Sequence, residues 1–187
     1  MSIIEIVQQK FYINRLLRKN RISNSNKAFV PLKKAKTIGV ICDFRVAANQ
    51  AIAVNFYKQI HKDSTTYKVL LFISEKRDEV NLYNYEKLFK GADVYVICQE
   101  DFNFVKSPKP QVFSRFIEPS FDILFRFDLE PKFEIDVILL SAKTKMYAGA
   151  QNTEIPYLDF GIELSDNAGL NGLSKNLIEY LNSLNSI

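Results

Sequence analysis

The chain has no tryptophan, one histidine, two cysteines and six glycines among 187 residues. Each scarcity excludes something. Two cysteines cannot build a disulfide scaffold. Both stand in apolar runs, Val40-Ile41-Cys42 and Val96-Ile97-Cys98, which predicts buried free thiols suited to a reducing cytoplasm. His61 has no second histidine with which to make a zinc site, and a Ser-His-Asp triad would have to use His61 itself. It closes a predicted helix beside Lys62 and Asp63, where a structural role fits best. The turn after the first predicted strand reads Asp43-Phe44-Arg45-Val46-Ala47-Ala48-Asn49-Gln50 and holds no glycine. It therefore carries neither the dinucleotide fingerprint nor the P-loop, which need glycine for close backbone approach to phosphate.

Long apolar runs are also missing. The longest, Val69–Ile73 and Val137–Leu140, are strand-sized, far below the roughly 18 residues of a membrane span. Ile3 and Ile4 are followed at once by Glu5, Gln8, Gln9 and Lys10, so no secretory leader is expected. The expectation is a cytoplasmic chain with no transmembrane segment.

What is present is an uneven charge. Residues 1–36 hold nine Lys or Arg against Glu5 alone, a net of +8, and the remainder is −4, giving the overall +4. With 47% apolar residues the chain is globular, and its length suits a single domain with a real core. The first 35 residues read as a basic helix (3–19) and a polar connector with Pro31; residues 36–187 read as one domain. In that domain strands (36–43, 67–74, 92–98, 121–127, 143–148 and 157–160) alternate with helices near 46–61, 81–90, 111–117 and 131–142. Gly91 is placed to end the second of these helices, Pro131 to begin the fourth, and Asn171 to cap a last helix carrying Leu173, Leu177, Leu181 and Leu184. Such alternation predicts a three-layer, Rossmann-like α/β domain with a mostly parallel sheet of five or six strands.

Ligands in such sheets bind outside the carboxyl ends of the strands, where strand order reverses. The candidates there are Asp43 and Arg45, Ser74 and Glu75, Gln99, Glu100 and Asp101, Arg126 and Asp128, and Gly149. Asp43 and Asp128 read either as helix caps or as a functional carboxylate pair able to share Mg²⁺. Nothing in the spacing demands a metal or a cofactor, and no catalytic set is recognisable. Fifteen Phe and nine Tyr could stack on bases, but Phe113, Phe116, Phe121, Phe125 and Phe127 follow element periodicities and read as core. The arm offers Lys10, Arg15, Arg18, Lys19, Arg21, Lys33 and Lys34 to an RNA backbone or a ribonucleoprotein. It could also lie on an anionic membrane, or pack on its own acidic body.

Residues 33–44 (KKAKTIGVICDF), 121–149 and 157–164 (YLDFGIEL) resemble an uncharacterised cytoplasmic family of Bacteroidota. The likeness is carried by Ala35, Lys36, Ile38 and Gly39, by Phe121, Asp122, Ser141, Ala142, Lys143 and Gly149, and by Tyr157 and Asp159. It implies a Rossmann-like domain after a basic segment and brings no assigned activity. Arg126 and Asp128 depart from it, standing where members show small polar residues. The 121–149 stretch is also similar to the first half of heptosyltransferase-type glycosyltransferases, a likeness that implies fold and not reaction. The leading expectation is a non-catalytic binding module whose arm contacts RNA. The alternatives are a protein-interaction subunit, and a binder of nucleotides or sugar phosphates, or an enzyme acting on them, at the sheet edge.

Overall fold

Thr37–Asp43 is an apolar, β-branched run, and such a run is stable as a strand only when both of its faces are covered. The computed structural model, which describes residues 3–23, 28–104, 106–130, 132–151, 158–165 and 168–183, covers it in that way. This strand, β1, pairs in parallel with β2 (Thr66–Phe72) on one side and β4 (Ser120–Phe127) on the other. Strands β3 (Ala92–Ile97), β5 (Lys143–Ala150) and β6 (Phe160–Ile162) complete a sheet of order β3-β2-β1-β4-β5-β6, every pair parallel. Helices α1 (Ile3–Ser23), α2 (Ala47–Ile60), α3 (Leu82–Leu88), α4 (Pro110–Ile117), α5 (Phe133–Ser141) and α6 (Gly169–Ser183) complete the set, with one 3₁₀ turn at Gln99–Asp101.

Alternation along the strands divides the core in two. Ile38, Val40 and Cys42 face the layer that holds Phe56 and Ile60 of α2 and Leu173 and Leu177 of α6. Ile41, Leu70 and Leu124 face the other layer, with Phe113 and Phe116 of α4 and Ile135, Ile138 and Leu139 of α5. The predicted α/β class is what forms, with six strands and a fully parallel sheet.

Several boundaries differ from the sequence reading. The fifth strand runs on through Gly149, which pairs with Arg126 on one side and Gly161 on the other. Asn171 lies inside α6 instead of capping it, because the helix already begins at Gly169, whose positive φ (54°) makes the entry turn. Gly91 takes the left-handed conformation (φ 88°) expected of it, three residues after α3 ends. Pro131, Tyr157 and Leu184 lie outside the described residues.

Two aspartates fasten strands through backbone donors. Asp122 accepts from the amides of Lys36 (2.7 Å) and Thr37 (3.2 Å), tying the start of β1 to β4, and pairs with Lys145 at 2.7 Å. Burial pushes its carboxyl up, but the hydrogen bonds from Lys145 and the two amides outweigh that and hold it below the ordinary range. Asp159 accepts from the Tyr147 amide (2.9 Å) and donates its own N–H to the Tyr147 carbonyl (3.0 Å), fixing the approach to β6.

The basic helix α1 packs back on the domain. Ile13, Leu16 and Leu17 rest against the α4–α5 layer, and Tyr12 meets Phe133 edge-on at 6.2 Å. Val30, Leu32 and Ala35, in the segment that follows, are buried in the α2–α6 core.

Gly149 sits where a Cβ would stand 2.8 Å from the Arg126 carbonyl oxygen and 3.2 Å from the Arg126 Cβ. A backbone atom cannot step aside as a side-chain tip can. Gly149→Ala is expected to push β5 from β4 and to cost about 1–3 kcal/mol, read as a lower urea midpoint at unchanged slope. An unaltered midpoint would show that the two strands have slack.

Candidate functional site

The strand order reverses between β1 and β4: the chain lays down β2 and β3 to one side of β1, then returns to place β4 on the other. Asp43 is the last residue of β1, and Asp128 follows β4 by one residue. The register sets Cys42 beside Phe127, so the two carboxylates emerge side by side at the carboxyl edge.

Neither aspartate caps a helix. The residue preceding α2 is Val46, and that preceding α5 is Lys132; neither helix has a side-chain cap. Asp43 instead accepts from the Arg45 amide (3.0 Å) and holds the Arg45 guanidinium with both oxygens, at 2.8 Å from Nε and 2.7 Å from Nη2. Arg45 Nη2 also reaches Glu134 Oε1 at 2.8 Å. Lys132 Nζ stands 2.9 Å from Asp43 Oδ2 and 2.9 Å from Asp128 Oδ2. The position between the paired carboxylates, which a divalent cation could have taken, is therefore filled by an ammonium. Asp128 Oδ1 accepts from the Glu130 amide (3.1 Å), an Asx-type turn; its buried Oδ2 makes no hydrogen bond of good geometry among the described residues and relies on the Lys132 charge.

Arg126 lies beneath this cluster, fully buried. Its Nη1 donates to the Asp128 carbonyl (3.1 Å), its Nη2 to the Glu130 carbonyl, and its Nε faces Asp136 Oδ1 at 3.4 Å. It is an internal pin for the 128–130 loop, with no surface to offer a ligand. Asp43, Arg45 and Asp128 are thus brought together, and Arg126 is placed under them.

Burial pushes the Asp43 carboxyl up, but the hydrogen bonds from Arg45 and Lys132 and the Arg45 charge outweigh it and hold the group at about 2. Burial pushes the Lys132 ammonium down; its close pairing with the Asp128 and Asp43 carboxylates more than reverses that and raises it above the ordinary range. The Cys42 thiol beside them is driven far up by burial and by the Asp128 and Asp43 charges. It is a packing residue and supplies no thiolate.

Next to this cluster a cleft of about 520 Å³ opens along the ends of β1, β2 and β3, a volume in the range of small-molecule sites. Ser74, Gln99 and Asn103 line it with hydrogen-bonding groups. Arg45 and Lys106 bring positive charge and Glu134 negative charge. Phe72 and Phe102, near-parallel at 6.2 Å, form an apolar wall, and the Arg45 guanidinium lies over the Phe72 ring at 5.4 Å. Lys106 adopts a left-handed backbone (φ 59°), uncommon without glycine, in a turn closed by the Asn103 side chain accepting from the Ser107 amide at 2.9 Å.

Ser74 and Gln99 were legible as strand-end residues. Lys132, Glu134, Phe102, Asn103 and Lys106 were not, since they come from the loops and from the start of α5; the only available signal for Lys132 was its place four residues after Asp128. Glu75 and Asp101 are engaged elsewhere, Glu75 with the Tyr85 hydroxyl and Asp101 with Arg77 and the Cys98 amide. His61 lies at the end of α2 against Tyr57 and Tyr67, its Nδ1 2.8 Å from the Tyr57 hydroxyl. Lys10, Arg15, Arg18 and Lys19 are exposed on α1, and Lys33 and Lys34 are exposed in the turn before β1; the Arg21 side chain lies outside the described residues.

The sheet order, reversing between β1 and β4 and flanked by helices, defines a doubly wound α/β protein of the Rossmann-like class. The chain belongs to a family of unknown function, DUF6913, whose model matches residues 8–184. No curated protein and no solved structure matches it. No helix among the described residues is long and apolar enough to cross a membrane.

A carboxyl held at about 2 in the fold and near 3.8 when unfolded contributes stability that is complete above about pH 4 and is lost as pH falls toward 2. Asp43→Asn removes that contribution and leaves Arg45 and Lys132 short of a partner. The expected cost at pH 7 is about 2–3 kcal/mol, or roughly 5–10 °C in Tm, with a shallower loss between pH 4 and 2. Thermal unfolding across that range is the check, and parallel acid limbs for the two proteins would contradict the assignment.

Proposed function

We propose that the protein binds a small polar metabolite, carrying a ring and an anionic group, at the carboxyl edge of its sheet. Nucleotides and sugar phosphates are the class that fits. The observation that carries the reading is the position of the cleft: it adjoins the reversal point between β1 and β4 and draws Arg45, Ser74, Gln99 and Glu134 from four different elements and loops. Phe102 offers a face for the ring, Lys106 and Arg45 offer charge to the anionic group, and Asn103 and Gln99 offer orientation. Arg45 is committed to Asp43 and Glu134 in the absence of ligand. Lys132 keeps Asp43 compensated when Arg45 turns toward a bound anion.

The reading is of binding. Among the described residues no group in the cleft is set up as a nucleophile with an adjacent base, and no reaction is assigned. A separate contact through residues 1–35 is supported by the exposure of Lys10, Arg15, Arg18, Lys19, Lys33 and Lys34. RNA is one polyanion such cations would meet, and the outer face of α1 discriminates among the candidates.

A panel of nucleotides and sugar phosphates, each followed by thermal shift, tests the site. A member present at a hundred times its Kd should stabilise the fold by about 2.7 kcal/mol, roughly 5–10 °C for a domain of this size. Lys106→Ala, at an exposed turn, should reduce that shift without altering the unliganded Tm. A panel with no active member, or a shift indifferent to both Lys106→Ala and Gln99→Ala, would overturn the reading.

A further inference from the structure

Helix α1 has two apolar faces. The inner one, with Ile13, Leu16 and Leu17, is spent on the domain. On the opposite side Ile4, Val7 and Phe11 follow one another at helical spacing and are 70%, 61% and 72% exposed. Their stripe is about 10 Å long. Cations surround it. Lys10 and Lys19 lie about 90° to either side around the helix, and Arg15 and Arg18 continue the stripe toward the C-terminal end. All four are exposed.

We propose that this outer face docks on an anionic lipid surface, with Ile4, Val7 and Phe11 entering the headgroup boundary and Lys10, Arg15, Arg18 and Lys19 meeting lipid phosphates and carboxylates. The argument is charge complementarity joined to the shape of the stripe. An RNA backbone would satisfy the cations and leave the three apolar side chains in water. A second copy would cover the stripe but would bring two helices of like charge together, each with Lys10, Arg15, Arg18, Lys19 and Arg21 against Glu5. Three side chains over two turns also fall short of the core of a stable protein interface. A membrane surface uses both components, the shallow insertion being weak by itself and the cations adding attraction to anionic headgroups. Because the inner face holds the domain, the docked helix would carry the sheet above the surface. This contact is independent of the cleft.

These 187 residues hold no tryptophan, so Phe11→Trp creates a single tryptophan reporter in this chain. Phosphatidylcholine vesicles containing phosphatidylserine should shift its emission to the blue. Sedimentation should show binding about ten-fold or more tighter than to pure phosphatidylcholine, falling as salt rises. Ile4→Ser/Val7→Ser/Phe11→Ser, at exposed positions, should keep its melting temperature and lose binding about ten-fold. The inference is overturned by an unshifted emission or by equal binding to neutral vesicles. It is also overturned if the chain binds a mixed-sequence RNA oligonucleotide but not the anionic vesicles, and that binding survives the triple-serine variant. A dimer in solution that the same variant converts to monomer would overturn it too.

Discussion

Two neighbouring parallel strands lead into buried carboxylates, Asp43 and Asp128, and like charges set side by side in a buried place repel unless a cation stands between them. Lys132 is that cation, 2.9 Å from an oxygen of each. Removing one partner of a buried ion pair costs about 3–5 kcal/mol, a large share of the roughly 5–15 kcal/mol that holds a domain together. Lys132 therefore steadies the carboxyl end of the β1–β4 seam at the middle of the sheet. Arg126 pins the 128–130 loop from below, and Gly149 allows β5 to lie against the backbone of Arg126. Arg45 is left on the outside of this bonded core, half-exposed and facing the cleft. A rigid, charge-compensated floor with one outward guanidinium is suited to receiving an anion without a resident metal.

The same logic of compensation runs through the rest of the chain. Asp122 satisfies backbone amides at the start of β1 and ties it to β4, and Asp159, just before β6, satisfies the Tyr147 amide within β5. The basic helix is anchored by its inner apolar face, so its cations are held outward on a fixed scaffold and not on a free arm.

The fold class was legible because burial on two faces demands continuous apolar runs, and the runs at β1, β2 and β4 are unmistakable. The strand-end positions of Asp43, Arg45 and Asp128 followed from that. Their partners did not follow. Lys132 stands in a charged stretch that reads as solvent-facing, and only the register of β1 against β4 shows that its ammonium meets the ends of two strands at once. Arg126 looked like a ligand-edge cation, but the inward alternation of β4 buries it. The family-like residues Asp122 and Asp159 carried the resemblance, and in the structure they do backbone work. The outer stripe of α1 was hidden by periodicity: with apolar residues on two faces, the helix shows no single strong face in sequence.

The proposed receptor of a small anionic metabolite is the cleft along the ends of β1, β2 and β3, beside the reversal point. Amide chemical shifts recorded while nucleotides and sugar phosphates are titrated in would test it most directly. The amides of Arg45, Ser74, Gln99 and Asn103 should move together and saturate at one concentration of one ligand. Shifts confined to the α2–α6 face, or none at all across the panel, would contradict it.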